Sequence, residues 1–489
     1  MRASSLFLLS FGFLSFVSYA LATPIGALGP FFGSESNPPD QPSQLDQPDQ
    51  SYQPDLPDQP VQANQPDQSY PDSSPAEKLV LAHHMVGNTY VYDVGDWESD
   101  IKLAHDTGID AFVLNIGSDA WQFDQVQNAF TAAAKYPGFK LCISFDMSSI
   151  SCSVPGDTRY LQKFMNAFLG DPKYLLFQGK PLVTAFSGQE CTFGADTPNQ
   201  GWLNTIKPEG ARPVHFVPSF FFMDPASLQE WPSIDGACNW NASWPKGDNP
   251  IEFDADNDWI QNLGGRTYMA GISPWFFTHY SPQTYNKNFI YQFDEWMFTR
   301  RWELLIANRD RVPLAQIITW NDFGESHYTG RLLSHSSQPD SEAWVNGFDH
   351  TGWLYLFRYY LQAFKTGVYP EIEQDRIILW MRRFPALAST PDPVGPPDHC
   401  EWVHDVLWAV FMLCEPADVV LRCGDNVQTT TNVPAGLAKV KLPLEATCKV
   451  SASIVRGDGS GMDFAPERME FTTEQQKTYN FNAFVAASP

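Results

Sequence analysis

Positive charge is scarce in this sequence: 31 Lys and Arg stand against 56 Asp and Glu in 489 residues, a formal net charge of −25. Affinity for a phosphate backbone rests on Lys and Arg, so no nucleic-acid partner is expected. The same field repels anionic membranes and anionic polysaccharides, which leaves a neutral ligand. The eight cysteines contain no C-x-x-C spacing, so a zinc or redox motif is missing. No Gly-rich phosphate loop follows an early strand, which argues against an open dinucleotide-binding sheet. No G-x-S-x-G elbow is present, so a serine-nucleophile hydrolase lacks its motif. Beyond the N-terminal region there is no second membrane-spanning run, and no hydrophobic tail after Phe484 signals a lipid anchor.

What is present begins with a leader. Arg2 gives a positive start, Leu6 to Val17 is a short apolar run, and Ala20-Leu21-Ala22 is a small-residue cleavage site. A signal peptide over 1–22 is therefore expected, with the mature chain starting near Thr23 and the product secreted, extracellular or held at a cell wall. In an oxidising compartment an even number of cysteines favours disulfides. Cys142, Cys152, Cys191 and Cys238 lie early and Cys400, Cys414, Cys423 and Cys448 late, as two domains with their own bridges would have them. The length also favours two domains.

Within residues 23–77, the stretch from about Asn37 to Ser74 repeats Asp-Gln-Pro units and is nearly free of Val, Ile and Phe. Such a segment buries too little apolar surface to offset its ordering entropy, and reads as a disordered linker. From Lys78 the texture changes. Eight apolar strand candidates appear at Leu79–Val86, Ala111–Ile116, Lys140–Phe145, Leu182–Phe186, Pro213–Pro218, Ala237–Trp240, Thr267–Ile272 and Leu314–Trp320. Amphipathic helices alternate with them: one opens at Asp96 and stops at Gly108, one opens at Asp157 and stops at Gly170, one covers Asn288 to about Asn308, and one covers Trp353 to Lys365. Continuous apolar strands alternating with helices imply a parallel sheet clad in helices, and eight units over 78–390 match a (β/α)8 TIM barrel. Over 391–489 short apolar segments are separated by Gly, Asp, Asn and Pro turns, which reads as a small all-β sandwich.

In such a barrel the chemistry sits in the loops after the strands. These loops hold His83, Asn115, Asp119, Trp121, Asp146, Trp240, Asn241, Trp275, Trp320, Asn321, Asp322, Glu325 and His327. Aromatic rings pack on the apolar faces of sugars, and the high aromatic content, 14%, suits either large cores or a saccharide cleft. Hydrolysis of a glycosidic bond needs two carboxyl groups, one protonated and one ionised. Asp146, Asp322 and Glu325 are the candidates for this work. The other ten residues are candidates for substrate binding. A metal centre built from His83-His84 with Asp119, Asp146 and Asp322 is the chemical rival. His83 and His84 point to opposite faces of a strand, however, so at most one of them lines the site. No metal and no cofactor are expected.

Five ordered stretches, Ala82-His83-His84-Met85-Val86-Gly87-Asn88-Thr89, Asn115 to Trp121, Ser144-Phe145-Asp146-Met147, Ser273 to Phe276 and Trp320-Asn321-Asp322-Phe323-Gly324-Glu325-Ser326-His327, resemble the fungal α-1,3-glucanases, the mutanases of glycoside hydrolase family 71. The resemblance spans Lys78 to the C-terminus. It implies an endo-acting, inverting hydrolase of α-1,3-glucan on a (β/α)8 barrel with a C-terminal β-sandwich; a monomer is expected. It also implies that Asp322 and Glu325 are catalytic, with Glu325 as general acid and with Asp322 and Asp146 holding the water. Two departures stand out. His84 occupies a position where an aromatic is expected, and Trp240-Asn241-Ala242-Ser243-Trp244 is one residue longer than the pattern. The longer segment also creates an Asn-x-Ser sequon at Asn241. A glycan there would crowd the cleft, so Asn241 is expected to carry none, which intact mass would show. Two other functions stay open: hydrolysis of a different neutral glucan, and non-catalytic glucan binding at a cell wall.

Overall fold

The computed structural model describes residues 78–489 except 222, 246, 292–295 and 334–339. The leader expected at 1–22 and the linker expected at 23–77 lie outside the described residues.

The elements run in the order β1 (Leu79–Met85), α1 (Val94–Thr107), β2 (Ala111–Ile116), α2 (Gln122–Ala133), β3 (Lys140–Asp146), α3 (Thr158–Phe168), β4 (Leu176–Phe177), β5 (Lys180–Phe186), α4 (Pro198–Ile206), β6 (His215–Phe216) and β7 (Gly236–Asn239). Next come α5 (Asp254–Leu263), β8 (Thr267–Ile272), β9 (Phe277–Tyr280), β10 (Lys287–Ile290), α6 (Met297–Ala307), β11 (Leu314–Ile317), α7 (Glu342–Val345) and α8 (Leu354–Thr366). Strands β12 (Arg376–Met381), β13 (Val406–Leu413), β14 (Ala417–Cys423), β15 (Asn426–Val433), β16 (Gly436–Pro443), β17 (Cys448–Val455), β18 (Gly461–Phe464), β19 (Glu470–Phe471) and β20 (Phe484–Ala487) complete the chain.

All eight strand candidates form strands, and they pair in parallel in the order β6-β5-β3-β2-β1-β11-β8-β7. Their residues are buried on both faces, which is why they read as unbroken apolar runs. The sheet curls until its ends approach: Asp235 N donates to Phe216 O at 2.8 Å and Cys238 N to Pro218 O at 2.9 Å. Three of the four helix signals also hold. Asp93, rather than Asp96, caps α1, and the two share a reciprocal capping box; Gly108 ends that helix in the left-handed region. Arg301 of α6 pairs with the buried Asp256 of α5 and donates to Gly271 O of β8, which ties two helices to the sheet.

Two expectations are corrected. The stretch from Asn288 is not one helix: β10 first pairs antiparallel with β9, and α6 starts only at Met297. Cysteine pairing is half of what the count suggests. Cys152–Cys191 and Cys423–Cys448 are bridged, but Cys142 and Cys238 lie unpaired in the sheet interior, and Cys400 and Cys414 are free. Burial pushes the Cys238 thiol up to about 12, so it stays neutral and apolar in behaviour.

After α8 the chain forms two antiparallel sheets, β16-β13-β12-β20 and β15-β14-β17-β18 with β19 on β17. Leu379, Leu407, Phe411, Val419, Leu421 and Ile454 share a second apolar cluster. The first of these strands, β12, starts upstream of the texture change at 391.

Candidate active site

The parallel strands deliver acids at their carboxyl ends from two places. Strand β3 is buried from Leu141 to Phe145 and ends in Asp146. Ser148 N (3.1 Å) and Ser148 Oγ (2.5 Å) donate to Asp146 Oδ1, and Asn115 Nδ2 donates to Oδ2 at 3.5 Å. Burial raises this carboxyl above its ordinary value, against the serine bonds and the charge of Lys287.

Asp322 and Glu325 sit in the loop after β11, whose strand is β1's other neighbour. The loop is stitched to itself and to β1. Thr319 N donates to His327 O at 2.9 Å, Gly330 N to Trp320 O at 2.7 Å, and Trp320 N to His83 O at 2.7 Å. The Asn321 amide makes a two-way clamp on Met85, accepting from its N–H (2.7 Å) and donating to its carbonyl (3.0 Å). Gly324 is required where it stands, because a Cβ there would lie 1.9 Å from the Tyr280 hydroxyl.

Within this loop the two acids meet opposite environments. Lys287 Nζ donates to Glu325 Oε1 at 2.9 Å, and the His327 Nε2 lies 3.0 Å from Oε2. Burial would raise Glu325, but Lys287 and His327 outweigh it and hold the carboxyl well below the usual range. Among the described residues no cation stands within ion-pair distance of Asp322. Burial and then the charge of Glu325 push it up to about 6, against His327 and Lys287. Donor atoms of Asp322, Glu325 and His327 lie within 4.8 Å of one another, the donor types of a cation site. The chain already meets that charge, since Lys287 and His327 take one Glu325 oxygen each. Phe276, Trp244 and Tyr291 form an aromatic shelf beside His327.

The remaining sequence candidates divide. His83 is buried inside the sheet, edge-on to Trp240 at 4.9 Å and 3.3 Å from Gln316 Nε2; burial lowers it to about 3, so the ring is neutral. His84 faces the other way, stacked on Trp97 and 3.3 Å from Asp100. Trp240 is half-buried between His83 and Phe186. Asn115 reaches Asp146, and His327 reaches Glu325. Trp121 stands at the rim, edge-on to the exposed Tyr90. Asp119 is exposed with its carboxylate taken by Gln122 at 3.3 Å. Asn241 is exposed and donates to Phe221 O at 3.3 Å.

Three candidates are packed into the fold. Trp275 is buried against Trp353 and Trp408 and donates to Phe481 O at 2.8 Å, so its ring faces the C-terminal sheets. Trp320 is fully buried and packs on Phe112, in the layer between strand and helix. Asn321 spends its amide on Met85. Lys287, Tyr280 and Tyr291 were not among the expected residues. Pro282 and Asn286 between two short strand-like runs are the signal that a turn brings Lys287 back.

Among the described residues no helix is long and apolar enough to cross a membrane. The chain is 37% identical over 420 residues to a glucan endo-1,3-alpha-glucosidase of Schizosaccharomyces pombe, covering 84% of this chain and 94% of that one. It is 31% identical to a mutanase of Penicillium rubens (85% of this chain, 90% of that one). It is 32% identical to the ascus wall endo-1,3-alpha-glucanase of S. pombe (74% and 84%). The family model described as glycosyl hydrolase family 71 matches residues 76–489. An acid pair in opposed environments is what glycosidic cleavage needs, and with these relatives at hand the chain is a glycoside hydrolase that belongs to glycosyl hydrolase family 71.

Proposed function

We propose that this protein is an endo-acting hydrolase of α-1,3-glucan that runs acid/base catalysis between Asp322 and Glu325. The supporting observation is the split within the pair: Glu325 is held ionised by Lys287 and His327 while Asp322 rises to about 6. Titratable neighbours whose environments push them apart are the mark of an acid and a base. Asp322 then gives its proton to the glycosidic oxygen as the bond from C1 breaks. Glu325 takes a proton from the water whose oxygen bonds C1, with Asp146 orienting that water. This reverses the acid and base that the sequence resemblance implies.

Inversion, as the resemblance implies, calls for carboxyl groups roughly 6.5–9.5 Å apart, whereas oxygens of Asp322 and Glu325 lie within 4.8 Å of each other, so on this reading the incoming water parts the pair. A retaining pair would instead be about 5–5.5 Å apart. We further propose that the curled sheet closes as a (β/α)8 barrel, that the sheets from β12 onward form a β-sandwich domain, and that the enzyme acts as a monomer outside the cell or at a fungal wall. The relatives named for α-1,3-glucan and ascus wall support the substrate and the place.

The test is product analysis on α-1,3-, α-1,4- and β-1,3-glucans with NMR of the first anomer. Release from α-1,3-glucan as the β-anomer is expected. Cleavage of another glucan instead, or binding of α-1,3-glucan without cleavage, overturns the reading. The α-anomer appearing first overturns inversion alone.

A further inference from the structure

The 277–290 hairpin lies outside the main sheet and its two strands pair with each other, with Lys287 opposite Tyr280 and Asn288 opposite His279. Lys287 and Tyr280 are the last pair before the turn, and both reach the acid loop, one at Glu325 and one over Gly324. An isolated two-stranded hairpin is marginally stable, so something must hold it there.

The holding contacts come from far along the chain. His279 is buried, with Nδ1 2.7 Å from Asn288 Oδ1 and Nε2 2.8 Å from Asp392 Oδ2. Asp392 is fixed in turn by Val394 N (2.9 Å) and Tyr479 N (3.0 Å). Asp398 brackets β10, accepting from Ile290 N at 3.2 Å and donating to Asn288 O at 3.0 Å. Asn288 Nδ2 adds bonds to Gly395 O and Pro396 O. Residues 392–398 and 479 belong to the chain after β12, so the C-terminal part grips the hairpin at its base.

We propose that Lys287 is a positioning residue of the active site, locked in place through His279 and Asp392 by the C-terminal part of the chain. It rests on the proposed chemistry of Asp322 and Glu325. The groups facing Glu325 are Lys287, Tyr280 and Tyr291 from the hairpin and its exit, Asp322 and His327 from its own loop, and Asp146 through Lys287. Among these, Lys287 supplies the ammonium that orients the carboxylate and keeps it charged.

The experiment compares Lys287→Met, Lys287→Arg and Asp392→Asn in the full chain. Lys287→Met should lower kcat on α-1,3-glucan by about 10- to 100-fold with KM within about threefold, as an interaction that acts on charge in the transition state would. Its acidic limb should move to higher pH, because Glu325 then loses its charge at a higher pH. Lys287→Arg should restore most of both, and Asp392→Asn should move the limb the same way by less. Carbodiimide labelling of Glu325 against pH, read by mass spectrometry on the 312–331 tryptic peptide, reports the same shift without turnover. Lys287→Met with a wild-type rate, limb and labelling curve overturns the proposal, as does a loss that Lys287→Arg does not rescue. A wild type that leaves α-1,3-glucan intact while Glu325 labelling still shifts in Lys287→Met overturns the function and keeps the role of Lys287.

Discussion

The acid loop at 319–330 and the hairpin at 277–290 bring groups to the same carboxylate by different routes. The loop is anchored locally, to the sheet that carries it: Thr319, Trp320 and Asn321 bond to His327, His83 and Met85. The hairpin is anchored remotely, by Asp392 and Asp398 more than a hundred residues on. The acids are therefore held chiefly from the parallel sheet, with Trp344 Nε1 on Gly324 O and Asn482 Nδ2 on the Tyr328 hydroxyl as outlying ties, whereas their charge balance passes through the hairpin. Damage to the local anchor should misplace the acids. Damage to the remote one should leave them in place and change when they are charged.

The sharpest way to break this contrast is Gly324→Ala, where loop and hairpin touch. The added methyl has no room beside the Tyr280 hydroxyl, and a 1 Å misplacement of catalytic groups can cost about 10²-fold. We expect a kcat loss of that order, and activity within threefold of wild type would show that the contact is slack. Asn321→Ala comes next. It leaves the Met85 backbone groups without their partner, so a cost of about 1–3 kcal/mol in urea unfolding is expected, with a smaller kcat loss. The smallest effect on turnover is expected from Trp275→Ala. It should destabilise by about 3–5 kcal/mol, seen as a lower urea midpoint, with KM unchanged. A rise in KM at full stability would return Trp275 to the cleft.

The same contrast marks what the sequence disclosed. The eight parallel strands were legible because both faces are buried, and Asp146, Asp322 and Glu325 because each follows such a run. The hairpin was not, because Phe-Thr-His-Tyr and Lys-Asn-Phe-Ile are too short to show alternation and the second merges with the helix that follows. Position after a strand points Trp275 and Trp320 to the cleft but does not reveal which face a ring takes, and both rings pack away from it. Lys287 meets Glu325 across 38 residues, a separation no local pattern encodes.

The central claim is that Asp322 carries the proton and Glu325 the negative charge. Hydrolysis of an α-1,3-glucooligosaccharyl fluoride, whose leaving group needs no proton, tests it most directly. Asp322→Asn should keep near wild-type kcat/KM on the fluoride while losing about 10²- to 10⁴-fold on the glucan, and Glu325→Gln should lose on both. Wild-type kcat/KM on the glucan should also fall as pH rises through about 6, where Asp322 gives up its proton. If Glu325→Gln is the variant that keeps the fluoride, the assignment is reversed, and if neither variant loses activity on the glucan, the pair does not carry the reaction.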